Sequence, residues 1–361
     1  VTSFPASPEH PLDRVDLRAR VAKALDAFLV SQQPTLDSIS EDITPIAEAI
    51  GEFVDGGKRL RPAFCYWGWR AAGGADCDEI LAAAAALELL QACALVHDDV
   101  MDGSDRRRGA PSVHRKFGSL HRVSGWHGNP ESFGVAAAIL LGDLCLVWSE
   151  QMINTSGLDH AALLRGRPVH DRMRVELMTG QYLDVVEQAM GGVSVERALR
   201  VARYKSAKYT IEEPLLMGAA FADGSAEVSA ALSAYGLPLG EAFQLRDDVL
   251  GVFGDPSTTG KPAGDDLREG KRTVLVAATL SRADAGESAV IRRHLGDAGL
   301  EAEDVERLRE IISSTGALAE VERMIDERTA RALAALGSPG LDPVAAGVLT
   351  ELAGIATARS T

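Results

Sequence analysis

The chain has 361 residues, 46% of them apolar, and a formal net charge of -15. That length buries a sizeable core, and that apolar share excludes a disordered chain. An acidic excess of this size argues against general nucleic-acid binding, which needs a basic face, although a local basic cluster still takes a small anion.

The opening segment, VTSFPASPEHPLDR, lacks the charged-then-apolar order of a signal peptide. Residues 1–12 read as a flexible tail ahead of a single all-α domain over 13–361. Alanine and leucine dominate the apolar runs, which favours helix over sheet. Helical periodicity predicts 13–30 and 35–50, divided at Pro34, then 60–72, 78–101, 132–154, 159–190, 194–222 and 226–252. It continues over 271–282, 286–297, 302–314, 316–336 and 343–358. No apolar run reaches the ~20 residues of a transmembrane span, because Gly142 and Asp143 interrupt the longest. Cys65, Cys77, Cys93 and Cys145 form no CxxC pair and read as reduced core residues of a cytoplasmic protein.

Two stretches have no period: 103–131 and 253–270. Each begins just beyond an Asp-Asp pair, in HDDVMD (97–102) and RDDVLG (247–252). Loops this long in a compact helical domain carry function or disorder. The segment 118–131, with Trp126 and His127, reads as a lid, a contact element or a plain surface loop.

Asp98 and Asp102 are four residues apart and share a helix face, while Asp99 points elsewhere. Paired carboxylates at a helix C-terminus oppose the macrodipole and repel each other, so the pair suits a hard divalent cation. All-carboxylate ligation points to Mg²⁺. On the second helix Gln244 and Asp248 share a face, with Asp247 beside them. Two facing helices of this kind could hold several Mg²⁺ ions around one polyanion. The cations lie close by: Lys58, Arg59 and Arg61 in DGGKRLRP, Arg107 and Arg108 after the first motif, then Lys205, Lys261 and Lys271. Singly, each is an ordinary surface charge. Together they suit two phosphate-bearing ligands, one bridged by metal and one gripped directly.

The set GGKRLRP, DDVMD with RRG, and FQLRDDVLG followed by two GK pairs resembles the trans-isoprenyl diphosphate synthases, also called polyprenyl synthetases. The resemblance covers roughly residues 35–335. It implies an all-α isoprenoid synthase fold, a homodimer, three Mg²⁺ ions per site, and condensation of isopentenyl diphosphate with an allylic diphosphate (dimethylallyl, geranyl or farnesyl). By position it makes Asp98, Asp102 and Asp248 metal ligands, with Asp99 and Asp247 as weaker members. Lys58, Arg61 and Arg108 correspond to the isopentenyl diphosphate grip. Arg107, Lys205, Ser206, Gln244, Lys261 and Lys271 correspond to the allylic site. Asp98, Asp102, Lys205 and Asp248 are the expected catalytic set. Three positions depart from the pattern: Gln91 stands where histidine is common, Gly251 where a third aspartate is common, and Ser206 where threonine is frequent. Asp247 and Asp255 could compensate for Gly251.

Product length follows from the helix rise. Ala94 lies about 6 Å and Leu90 about 12 Å below Asp98. Cys93 and Ala94, both small, should flank the growing tail, where aromatic residues in this family close the tunnel early. That favours a twenty-carbon product, geranylgeranyl diphosphate, over a farnesyl product, with a longer chain also possible and Leu90 a candidate floor. A class I terpene cyclase and a non-catalytic partner subunit are the competing readings. The first usually carries an Asn/Asp-x-x-Ser-x-x-x-Glu motif that is not found at the second site. The second typically loses one aspartate motif, and this chain keeps the core of both.

Overall fold

A computed structural model describes residues 10–190, 192, 194–255, 264–297 and 299–358. Its elements run α1 (Leu17–Asp37), α2 (Thr44–Val54), α3 (Leu60–Ala71), α4 (Asp78–Met101), α5 (Val113–Val123), α6 (Pro130–Asn154), α7 (His160–Met190) and α8 (Val195–Val201). A π-helix, Ala202–Glu212, leads into α9 (Glu213–Phe221) and the long α10 (Ala226–Phe253). Helices Asp265–Arg268, Val274–Arg282, Ala285–His294, Ala302–Ser314, Ala317–Ala335 and Pro343–Thr357 follow. Among the described residues the only extended pair is the hairpin of Arg106–Arg107 (β1) with Ala110–Pro111 (β2). The all-α expectation holds.

The core has two parts. In the larger, the alanine-rich α4 lies at the centre, with Ala83 to Ala86 fully buried. Small side chains let α1, α3 and α6 approach it closely. In the smaller part, the C-terminal half of α10 packs on Val274–Arg282, Ala302–Ser314 and Ala317–Ala335. The two acidic motifs end α4 and α10, and the cavity lies between those ends.

Several expectations need correction. Pro34 does not divide two helices, because α1 runs through it to Asp37. It sits in the last turn, where a missing N–H costs one bond only. The next helix starts later, at Thr44, behind a short 3₁₀ turn capped by Ser40. The 103–131 stretch is not a long loop. Arg108 and Gly109 both have positive φ (51° and 78°), the geometry of a tight hairpin turn, and α5 follows. In the 118–131 segment Trp126 packs edge-on against Phe133 and His121, so the loop is pinned by an aromatic knot. Leu12, inside the expected tail, is buried in the core. Finally, α4 and α6 are each long and apolar enough to cross a membrane by length and composition, unlike the expectation from the sequence. In α4, 72% of the apolar window is buried within the fold, against 44% in α6.

Candidate active site

One face of α4 presents Glu88, Gln91, Ala94, Leu95 and Asp98, at steps of three and four, to a cavity of about 850 Å³. The opposite wall is the π-helix, which brings Lys205, Ser206, Tyr209 and Thr210 to the same space. Two glycines let neighbouring helices clasp that segment. A Cβ on Gly180 of α7 would lie 2.5 Å from the Lys205 nitrogen, and one on Gly240 of α10 would lie 2.5 Å from the Ala207 oxygen. π-Helical turns are wide and recur at functional sites.

At one end the acidic groups and lysines meet. Lys205 Nζ donates to Asp98 Oδ1 at 3.0 Å and to Asp184 Oδ2 at 2.6 Å, and Gln181 Nε2 donates to Asp98 Oδ1 at 2.9 Å. Burial alone would raise the Asp98 carboxyl, but the ammonium groups of Lys205 and Lys271 outweigh it and hold it below its ordinary value. Asp102 follows one turn on. Burial and the Asp98 charge push its carboxyl up to about 6. From α10, Asp248 and Asp247 adjoin the cavity, with Gln244 donating to Asp248 at 2.8 Å. Burial, aided by the charges of Asp266 and Asp247 and against the Gln244 bond, raises Asp248 to about 8. Lys271 is held by Asp266 at 3.2 Å and Glu269 at 2.7 Å. Ser104, just past α4, donates to Glu269 at 2.7 Å and so ties the end of α4 to the segment that carries Lys271.

Asp99 behaves differently. It is fully buried and ion-paired with Arg107, whose Nε donates to it at 3.0 Å. The hairpin turn at Arg108–Gly109 folds Arg107 back to make this pair. Asp99 is off the cavity wall, and its pair with Arg107 orients that guanidinium.

At the other end the cations gather. Arg61 lies over the Tyr209 ring, 4.2 Å from its centroid, and donates to Thr210 at 2.8 Å. Arg59 forms a buried pair with Glu88 at 2.7 Å. Lys58 is exposed at the rim. Burial lowers the Arg108 guanidinium below its ordinary value, with Glu88 opposing and Arg107, Arg59 and Arg61 reinforcing. Cations crowded in this way suit an anion.

The structure thus brings Lys58, Arg61, Gln91, Ala94, Asp98, Arg107, Arg108, Lys205, Ser206, Gln244, Asp247, Asp248 and Lys271 to one cavity. Lys261 lies outside the described residues. Asp102, half-buried one turn beyond Asp98, does not itself line the cavity, and Leu90 and Cys93 are buried off its wall. Cys93 is turned toward α6, with its Sγ 3.8 Å from His97 Nδ1 and its thiol raised by burial to about 12. At 100° per residue Cys93 falls on the side of α4 opposite the face of Gln91, Ala94, Leu95 and Asp98. Sequence reasoning did not assign Glu88, Gln181, Tyr209, Thr210 or Asp266 to the site. The i, i+3 spacing of Gln181 with Asp184 was the one signal that could have found one of them.

The donor set for a metal is carboxylate oxygen throughout, with Asp248 and Asp102 raised first by burial and then by neighbouring carboxylates. These residues fit Mg²⁺. A second cluster, Glu150, His170 and Asp171, has ligand atoms within 4.8 Å of one another on α6 and α7. Arg174 pairs with both of its carboxylates and fills the place of a cation.

A sequence profile of the polyprenyl synthetase family matches residues 44–312. The chain belongs to that family. It is a trans-isoprenyl diphosphate synthase with the isoprenoid synthase fold. It is 34% identical over 280 residues to the geranylgeranyl diphosphate synthase of Mycobacterium tuberculosis, covering 78% of this chain and 75% of that protein. It is 33% identical over 267 residues to the geranylfarnesyl diphosphate synthase of Aeropyrum pernix, covering 73% and 77%. The crystal structure of the Corynebacterium glutamicum geranylgeranyl pyrophosphate synthase, complexed with isoprenyl diphosphate and magnesium, superposes with a TM-score of 0.92. That pair is 44% identical, with 95% of this chain and 98% of the other covered.

Proposed function

We propose that this trans-prenyltransferase condenses isopentenyl diphosphate with allylic diphosphates to make all-trans geranylgeranyl diphosphate. The observation that carries the reading is the lining of the cavity. Carboxylates with lysines, the arginines Arg61, Arg107 and Arg108, and the apolar side chains of Ala94, Leu95, Leu177, Val201, Phe243 and Leu250 all line one cavity. Support for a twenty-carbon product comes from the names of the relatives and from the small Ala94 among those side chains.

Asp98, Asp102, Asp247 and Asp248 would hold Mg²⁺, three ions in our reading. Bound there, the metal supplies positive charge that stabilises the departing diphosphate. Lys205, Lys271 and Arg107 add directed hydrogen bonds to the same leaving group, and Ser206 and Gln244 orient it. Lys58, Arg61 and Arg108 hold isopentenyl diphosphate so that its C=C lies against the forming allylic cation. Gln91 adds a neutral hydrogen bond there. The apolar wall keeps water from the cation, and the released diphosphate takes the final proton.

We read the enzyme as a cytoplasmic homodimer. The reduced cysteines support the compartment. An apolar face running over α6 and α7, with Leu140, Val147, Val175 and Tyr182 each more than 60% exposed, supports the pairing.

The test is incubation with labelled isopentenyl diphosphate, an allylic diphosphate and Mg²⁺. A product lengthened to twenty carbons is expected. A cyclic hydrocarbon from the allylic diphosphate alone, or no product from the isolated chain, would reject the reading.

A further inference from the structure

Lys271 lines the cavity, and Glu269, which stands behind it, does not. Glu269 ends the helical turn Asp265–Arg268, and its side chain is 12% exposed. Its two oxygens meet different elements. Oε2 lies 2.7 Å from Lys271 Nζ, and Oε1 accepts from the Ser104 hydroxyl at 2.7 Å. Ser104 is buried two residues past Asp102, off the cavity wall, and its backbone N–H donates to the Asp99 carbonyl at 3.0 Å. A line of contacts therefore runs from the end of α4 through Ser104 and Glu269 to the Lys271 ammonium. The backbone supports it from the other side. Gly270, with φ of 74°, turns the chain so that the Lys271 N–H donates to the Asp266 carbonyl at 3.0 Å. Burial alone would lower the Lys271 ammonium, but the charges of Asp266 and Glu269 outweigh it and hold it above its ordinary value.

We propose that Glu269 and Ser104 are positioning residues for the allylic half of the reaction, fixing the Lys271 ammonium relative to the end of α4 so that it meets the allylic diphosphate. This rests on the reading of the site given above, in which Lys271 serves that diphosphate. A lysine carries its charge on a flexible four-carbon stem, so charge alone does not fix where its donors point. Of its three donors, Asp266 at 3.2 Å and Glu269 at 2.7 Å engage two, and the third is left for a ligand. Neither Glu269 nor Ser104 touches the cavity, so both act through Lys271. The competing role is a staple that only holds the fold. It needs the Ser104 bond but not the charge of Glu269.

The experiment measures KM for each substrate in the full chain at saturating Mg²⁺, with the melting temperature alongside. Glu269→Gln keeps an oxygen for Ser104 and loses the charge beside Lys271. Ser104→Ala keeps that charge and loses the tie to α4. Each should raise the KM for the allylic diphosphate about tenfold, the cost of one hydrogen bond to a charged group, and leave the KM for isopentenyl diphosphate unchanged. Ser104→Thr retains the hydroxyl and should recover most of the loss seen in Ser104→Ala. A wild-type chain that makes no elongated product overturns the site reading and this inference with it. Wild-type KM values in folded Glu269→Gln, an equal rise for both substrates, or folded Ser104→Thr no better than Ser104→Ala would each overturn the proposal while leaving the site reading intact. Should Glu269→Gln not fold, Ser104→Ala set against Ser104→Thr decides on the same readout.

Discussion

Asp98 and Asp248 carry the same side chain into the same cavity, yet their acidities move in opposite directions. Lys205 touches Asp98, whereas the nearest group to Asp248 is the neutral amide of Gln244. A carboxyl raised in the folded chain binds its proton more readily there than in the unfolded chain. Its contribution to stability is full below the unfolded value near 4 and is lost as pH rises through about 8. Metal-free protein should therefore lose melting temperature between pH 5 and 9, and saturating Mg²⁺ should restore it. Asp248→Asn removes the buried charge. It should raise the metal-free melting temperature at pH 8, by about 2–4 °C for each kcal/mol relieved, while nearly abolishing turnover. Scanning fluorimetry in chelator at both pH values checks this, and a lower melting temperature in Asp248→Asn would contradict it.

At the scale of elements, the π-helix and α4 do most to shape the cavity. The π-helix keeps its wide turns because α7 and α10 press on it through glycine. Gly240→Ala places a methyl group 2.5 Å from the Ala207 oxygen and must displace the segment. We expect a loss of about 1–3 kcal/mol in denaturant unfolding and a raised KM for the allylic diphosphate, since Lys205 and Ser206 move with it. On α4, Ala94 is the one member of the proposed chain-length set on the cavity wall. Ala94→Phe should shorten the main product by at least one five-carbon unit, read by chromatography of the dephosphorylated alcohols. Cys93→Phe should instead destabilise the fold, because its side chain packs toward α6. An unchanged product from folded, active Ala94→Phe would mean that the tail runs elsewhere.

For the whole molecule, the apolar surface of α6 and α7 is the face on which the proposed homodimer would pair. α6 carries its buried stripe toward α4 and an exposed stripe of Ile139, Leu140 and Val147 outward. The face continues onto α7, which also supplies Gln181 and Asp184 to the cavity, so pairing would brace a site wall. Leu140→Glu with Val147→Glu should convert a dimer to a monomer in light scattering and lower its melting temperature. An unaltered mass in the folded variant would exclude this face as the contact.

Much of the protein was legible in its residues. A period of 3.6 is a local property, so most of the helices (α5 and the end of α1 excepted), the bounds of α4 and the shared face of Asp98 and Asp102 followed from spacing alone. The divergence of Asp99 followed from the same geometry. Charge at two helix ends pointed to a paired acidic site before any fold was known. Spacing could not tell which groups meet across elements. The Arg107–Asp99 pair depends on a two-residue hairpin inside a stretch with no period. The Arg59–Glu88 pair joins residues on different helices. The π-helix keeps an apolar pattern that reads as ordinary helix, and only the glycines pressing on it from α7 and α10 mark it out. Asp266 meets Gly251 from a different element, the helical turn Asp265–Arg268. Local propensity sets each element, but burial decides how elements dock, and docking decides which charges face a cavity and which face each other.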